Sequence, residues 1–173
     1  MMNIPRSLLA PLCVVVAALL ATIPLHAGPS PIASDPAIAA IEKAVLDANA
    51  QMTQAANSLN TDAFFDFIAD TDRGMIVQNG MIFRTRHEAY EAVKRGLQGV
   101  AKIDRKFENP QVTVIAPDVA LLVSAGSVAA TLADGRELNR RFAVSLVFVL
   151  RDGRWKVLHG HYSTLPNRPE SPQ

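Results

Sequence analysis

The sequence predicts an α+β domain whose helices are segregated from a single antiparallel sheet. Three observations carry this. Apolar residues recur at steps of three and four from Ile38 to Leu59, the spacing of one face of a long helix. Near residue 100 the pattern changes to long runs of strand-forming residues. Those runs are separated only by Pro117-Asp118, Asp134-Gly135 and Asp152-Gly153. Such short connections join antiparallel neighbours and cannot carry a crossover.

The elements follow in chain order. Residues 1–27 read as a segment outside the fold. Arg6 and the α-amino group give a positive start, Leu8 to Leu20 is nearly unbroken apolar sequence, and Leu25-His26-Ala27 ends on a small residue. That is a secretory signal peptide, with cleavage expected after Ala27. Pro5, Pro11 and Pro24 bracket an apolar run too short to span a bilayer comfortably, so no stable membrane anchor is expected after cleavage. The expected destination is secreted or periplasmic. Cys13, the sole cysteine, leaves with this segment, so no disulfide, thiol nucleophile or thiolate metal site is expected.

Residues 28–35 read as a flexible leader. Asp35 then fits a helix N-cap, with Pro36 at the first helical position. Ile38, Ile41, Val45, Ala48, Met52, Ala55 and Leu59 mark the buried side of the first helix. Asn60-Thr61-Asp62 ends it and opens a short second helix carrying Phe64, Phe65 and Ile68. Asn79-Gly80, between residues 74–78 and 81–83, is the favoured pair for a type I′ hairpin. Thr85 and Glu88 form a capping box for a third helix with Tyr90, Val93 and Leu97, ending near Gly99. Strands are expected over residues 102–116, 119–132, 138–150 and 154–163. The domain is thus placed at residues 36–164, with 165–173 a loose, proline-rich tail.

Without Arg6, basic and acidic residues are equal in number. That balance argues against a nucleic-acid or membrane-surface partner. The third long strand is apolar on both faces, with Phe142, Val144, Leu146, Phe148 and Leu150 on one and Ala143, Val147 and Val149 on the other. A half-solvated antiparallel strand would keep one face polar. A homodimer through the outer sheet face is therefore expected, and cover by the chain's own loops or tail is the other reading.

In the closing strand, strict alternation puts Trp155, Val157, His159, His161 and Ser163 on one face and Leu158 and Tyr162 on the other. The first set reads as a pocket wall. The second reads as part of the dimer surface.

The order of elements and the ending Arg151-Asp152-Gly153-Arg154-Trp155-Lys156-Val157-Leu158-His159-Gly160-His161 resemble the NTF2-like (cystatin-like) superfamily. Within it the chain resembles SnoaL-like domains, many of them of uncharacterised function. The resemblance covers about residues 36–164, and its most specific part is the closing DGRWKVLHGHYS. It implies an NTF2-like cone, three N-terminal-half helices packed on a curved antiparallel β-sheet around an apolar pocket. It also implies that dimers through the outer sheet face are common. It implies no single chemistry, because this cone serves isomerases, dehydratases, hydrolases, cyclases and assembly domains alike.

The candidate site therefore starts from His159 and His161, as an acid/base pair or as one imidazole orienting a ligand. The plainer reading is two hydrogen-bonded histidines in a pocket wall. Trp155, Val157, Tyr90, Phe64 and Phe67 are the expected ligand-contacting residues. A metal reading of His159 and His161 needs a third ligand, and spacing brings none of His87, Asp66 or Asp70 into reach, so no metal is expected. Asp62, Asp66 and Asp70 read better as a solvated helix face than as catalytic carboxylates, and Arg140 and Arg141 as surface charges. No glycine-rich phosphate loop and no G-x-S-x-G occurs, which disfavours nucleotide chemistry and covalent serine catalysis. No cofactor is expected. Three functions stay open: binding of a small, largely apolar molecule in the cone; a cofactor-free lyase, isomerase or hydrolase using His159 or His161; and a dimeric interaction module whose pocket is incidental.

Overall fold

A computed structural model describes residues 35–71 and 76–164. The signal peptide, the leader up to residue 34, the start of the hairpin (Gly74 and Met75) and the tail lie outside the described residues. Helix α1, Pro36–Asn57, and helix α2, Thr61–Phe65, lead into strands β1, Ile76–Gln78, and β2, Met81–Phe83. Helix α3, Arg86–Gly96, precedes four long strands: β3, Val100–Ala116; β4, Val119–Leu132; β5, Glu137–Arg151; and β6, Arg154–Thr164. The strands form one curved sheet in the order β2-β1-β6-β5-β4-β3. Strands β3 to β6 make the expected antiparallel meander. Strand β1 joins β6 in parallel, which extends the meander by the hairpin.

The caps follow from the sequence. The Asp35 carboxylate accepts from the Ala37 amide at 2.9 Å, satisfying one of the donors left open at a helix start. The Thr85 hydroxyl accepts from the Glu88 amide at 3.1 Å, and the Glu88 carboxylate accepts from the Arg84 amide at 2.6 Å. This is a capping box displaced by one residue at its outer end. Asn79 and Gly80 have φ of 51° and 80°, the left-handed pair that a type I′ turn requires. Helix α2 stops at Phe65, before Ile68. From there the chain runs beside β6, where the Val157 amide donates to the Phe67 carbonyl at 2.7 Å and the Ala69 amide to the Val157 carbonyl at 2.9 Å.

Two register breaks shape the sheet. In β3, Glu108 pairs with Ala125 but Gln111 with Val123, leaving Asn109 and Pro110 as a bulge. Asn109 takes φ 50°, and Pro110, which has no amide to donate, is tolerated because β3 is an edge strand. In β6, Val157 pairs with Phe148 and His159 with Val147, so Leu158 has no opposite number. A bulge adds one residue, reverses the in-out phase beyond it and bends the strand.

The second bulge corrects the expected faces of the closing strand. Val157 is 1% exposed and Tyr162 9% exposed, although strict alternation would put them on opposite sides. Beyond Leu158 the inward residues are Gly160 and Tyr162, and His159, His161 and Ser163 lie on the outer face. Tyr162 is therefore core rather than dimer surface.

The core lies between α1, α2 and the concave face of the sheet. Val45 and Met52 of α1, Phe65, Leu122, Leu146, Phe148 and Val157 are almost wholly buried. Each buried side chain of this size contributes about 1.5–3 kcal/mol relative to exposure. Gly126 is fixed by packing, since a Cβ there would run into the Lys106 carbonyl and the Phe142 ring. On β5, Phe142, Val144, Leu146 and Phe148 face this core. On the outer side Val149 is 4% exposed, Ser145 and Val147 are half-buried, and Ala143 is open. The chain itself thus covers part of the second apolar face.

Candidate functional site

A cavity of about 330 Å³ lies between α3, the end of α2, the β1–β2 hairpin and the inner wall of the sheet. Helix α3 presents Ala89, Val93 and Leu97 to it, α2 presents Phe64 and Phe65, and the hairpin presents Ile76 and Phe83. Asn79 and Met81, both exposed, bring solvent to the hairpin side. The polar side chains in the lining are Gln78, Asn79, Arg105 and Tyr162. A smaller cavity of about 90 Å³ shares Phe64, Val93, Leu97 and Arg105 with it. Helix α3 is held over this space by Arg86, whose Nε and Nη2 donate to the Phe65 carbonyl at 3.1 and 2.9 Å. That contact also satisfies a carbonyl at the end of α2.

Arg105 is the charged member of the lining. It follows from the phase of β3: Ile103, Arg105 and Phe107 share the inward parity, and Lys102, Lys106 and Glu108 the outward one. Its backbone points off the sheet edge and is bracketed by α1. The Arg105 amide donates to Asn57 Oδ1 at 2.7 Å, and Asn57 Nδ2 donates to the Arg105 carbonyl at 3.1 Å. The guanidinium carbon lies 5.5 Å from the ring centroids of both Phe142 and Tyr162, within cation–π range. Its Nε is buried and has no hydrogen-bond partner. Burial pushes the Tyr162 hydroxyl above its ordinary pKa, while the charge and hydrogen bonding of Arg105 oppose part of that rise. Tyr162 is therefore neutral at physiological pH.

The residues expected from sequence fall in several places. Phe64 lines the cavity. Tyr90 packs edge-on against Phe65 at 5.2 Å, but its hydroxyl turns to Asp62, donating at 2.9 Å. That hydrogen bond to a carboxylate is the main reason its pKa is raised. Phe67 and Trp155 pack against the edge of the core, with the Arg154 guanidinium 5.6 Å from the Phe67 ring. Val157 is in the core itself. None of these four is in the cavity lining.

His159 and His161 were expected to face the cavity and do not. His159 sits opposite Val147, and His161 opposite Ser145 and beside Val77, on the outer face of the sheet. His159 is half-buried and His161 exposed. The cause is the extra residue at Leu158. Among the described residues, no group of three or more His, Cys, Asp or Glu side chains is placed to hold a metal ion.

Sequence reasoning missed Arg105, Tyr162 and Gln78. A signal for the first existed: one charge at the inward parity of an otherwise apolar face, between Ile103 and Phe107. A signal for the second existed too. Lys156 is polar at an even position, whereas His159, His161 and Ser163 are polar at odd ones, so the alternation changes phase across Val157-Leu158. The same change runs from Lys106 and Glu108 to Gln111 and Thr113 around the other bulge.

Residues 45–167 match the SnoaL-like domain. Among solved structures, the chain is similar to an uncharacterised protein with a cystatin-like fold from Caulobacter vibrioides. The two are 23% identical, with a TM-score of 0.59 over 72% of this chain and 89% of that one. It is similar to an NTF2-like superfamily protein of Salmonella enterica serovar Typhimurium, 12% identical, TM-score 0.68, covering 78% of this chain and 98% of that one. A third likeness is to a Novosphingobium aromaticivorans protein provisionally named a scytalone dehydratase, 10% identical, TM-score 0.65, covering 72% and 83%. No curated protein sequence matches this one. Identities this low carry the fold, which is NTF2-like, and no chemistry.

Proposed function

The chain belongs to the SnoaL-like domain family, and on that footing we propose that it binds a small, largely apolar molecule in the cavity under α3. One observation carries the reading: a space of about 330 Å³ walled by Phe64, Phe65, Ile76, Phe83, Val93 and Leu97 with a few polar groups converging on it. A concave apolar wall with sparse polar groups is what a small-molecule site needs, because burial supplies affinity and the polar groups supply orientation. The lyase, isomerase or hydrolase alternative rested on His159 or His161 as acid/base, and their outward position withdraws its support. The test is a thermal-shift screen of apolar small molecules on the purified protein and on Ala92→Trp, which puts an indole into the cavity. Shifts in the parent that vanish in Ala92→Trp are expected. Shifts of equal size in both would overturn the reading.

Two further elements belong to this proposal. Residues 1–27 direct export, so intact mass measured on secreted protein should begin at Gly28; a retained N-terminus would sink this. The outer sheet face joins two copies of the chain, a reading supported by Val123, 45% exposed, beside half-buried Leu121 and Val147. Light scattering should give a dimer for the parent and a monomer for Val123→Lys, and a monomeric parent would end the dimer reading.

A further inference from the structure

Beyond a generally apolar ligand, the charge in the wall identifies a chemical class. We propose that the cavity takes an apolar organic acid, its carboxylate received by the Arg105 guanidinium with the Tyr162 hydroxyl beside it. This rests on the cavity being a small-molecule site. Four observations lead to it. Arg105 is the charged residue of a largely apolar lining. No carboxylate among the described residues pairs with it; the ion pairs there include Lys43 to Asp47, Lys106 to Asp104, Arg136 to Asp134 and Arg141 to Glu108. Its Nε is buried with no acceptor. Its position is held, by the Asn57 bracket on its backbone and by the neighbouring rings of Phe142 and Tyr162, each 5.5 Å from its guanidinium carbon.

A cation removed from water is destabilised unless something restores what the solvent gave it. The two aromatic faces restore part of this, because a ring face is electron-rich. They leave the buried Nε–H without an acceptor. A carboxylate supplies one, since its two oxygens match the planar fork of guanidinium and the hydrogen bonds are charge-assisted. A neutral tyrosine beside it adds an O–H donor. The apolar body of the acid would then lie along Phe64, Val93 and Leu97.

The experiment uses two probes of nearly the same shape, 2-naphthoate and its uncharged counterpart 2-naphthamide. Their affinities are compared by titration calorimetry on the purified protein at neutral pH, then on Arg105→Gln. In the parent, 2-naphthoate should bind about tenfold more tightly than 2-naphthamide, the scale of one charged hydrogen-bonding contact. In Arg105→Gln that preference should disappear, the two probes then binding with equal affinity. Arg105→Lys, which keeps the charge but loses the fork, should retain part of the preference. Binding of 2-naphthamide with no preference for 2-naphthoate overturns the acid assignment and leaves the cavity reading standing. A preference that survives in Arg105→Gln does the same. If neither probe binds, both proposals fall. Should Arg105→Gln not fold, as judged by its thermal transition, the parent's ratio alone decides, and a ratio near one overturns the assignment.

Discussion

The two faces of the sheet are made by the same strands and carry opposite properties. The inner face holds Phe142, Val144, Leu146, Phe148, Val157 and Tyr162, all buried, and ends in the cavity wall at Arg105. The outer face holds Ala143, Ser145, Val147, His159 and His161, half-buried or open. Residue type does not separate them cleanly, because both faces contain valine, alanine and serine. What separates them is phase, and phase is set by two bulges. Between Val157 and His159 one unpaired leucine sends a tyrosine inward and two histidines outward. The lesson is that chemistry-bearing residues on a strand can be assigned to a pocket only after the register is known.

This contrast can be tested from its strongest consequence to its weakest. Phe148→Ala opens a cavity in the inner face, where Phe148 is 0% exposed, and should destabilise the protein by about 3–5 kcal/mol in urea titration. A loss below about 1 kcal/mol would mean that the inner face is not the close-packed one. Asn57→Ala removes both bonds to the backbone of Arg105 and should cost about 1–3 kcal/mol, with a parallel loss of acid binding if that bracket positions the guanidinium.

Tyr162→Phe tests the same face through pH. Burial holds the Tyr162 proton in the fold, whereas the unfolded chain releases it near its ordinary value of 10.0. The stabilisation is therefore complete below pH 10 and is lost as pH rises toward the folded pKa. Tyr162→Phe should flatten the alkaline arm of the stability profile, and an unchanged arm would place Tyr162 in water. Smallest of all, His161→Ala should change stability by less than about 0.5 kcal/mol and leave 2-naphthamide binding unaltered. A loss of binding in His161→Ala would return that histidine to the site.

Much of the fold was legible. The spacing from Ile38 to Leu59, the Asp35-Pro36 and Thr85/Glu88 starts and the Asn79-Gly80 turn each act over a few residues, and local physics decides them. The long strands and their tight turns fixed the meander for the same reason. Less of the site was legible. Phe64 lines the cavity from a helix face that spacing alone can read. His159, His161, Trp155 and Val157 were grouped by an alternation that Leu158 interrupts, and Tyr90 was turned away by Asp62, a partner distant in sequence. In the sequence Arg105 is marked only as a charge at the inward parity between Ile103 and Phe107; that it lines a cavity follows from setting β3 against α1 and β4.

The sequence by itself determined the helices and the meander of the described residues, that the chain falls among SnoaL-like domains, and which residue types are available to a pocket. Only the tertiary structure decided that the parallel β1–β6 pairing closes the hairpin over the cavity. It also decided that Arg105 and Tyr162 meet there and that the two histidines do not. The physical reason is one of range. Caps, turns and periodicity are short-range terms, whereas the face a strand presents depends on every residue inserted before it and on the strand it pairs with.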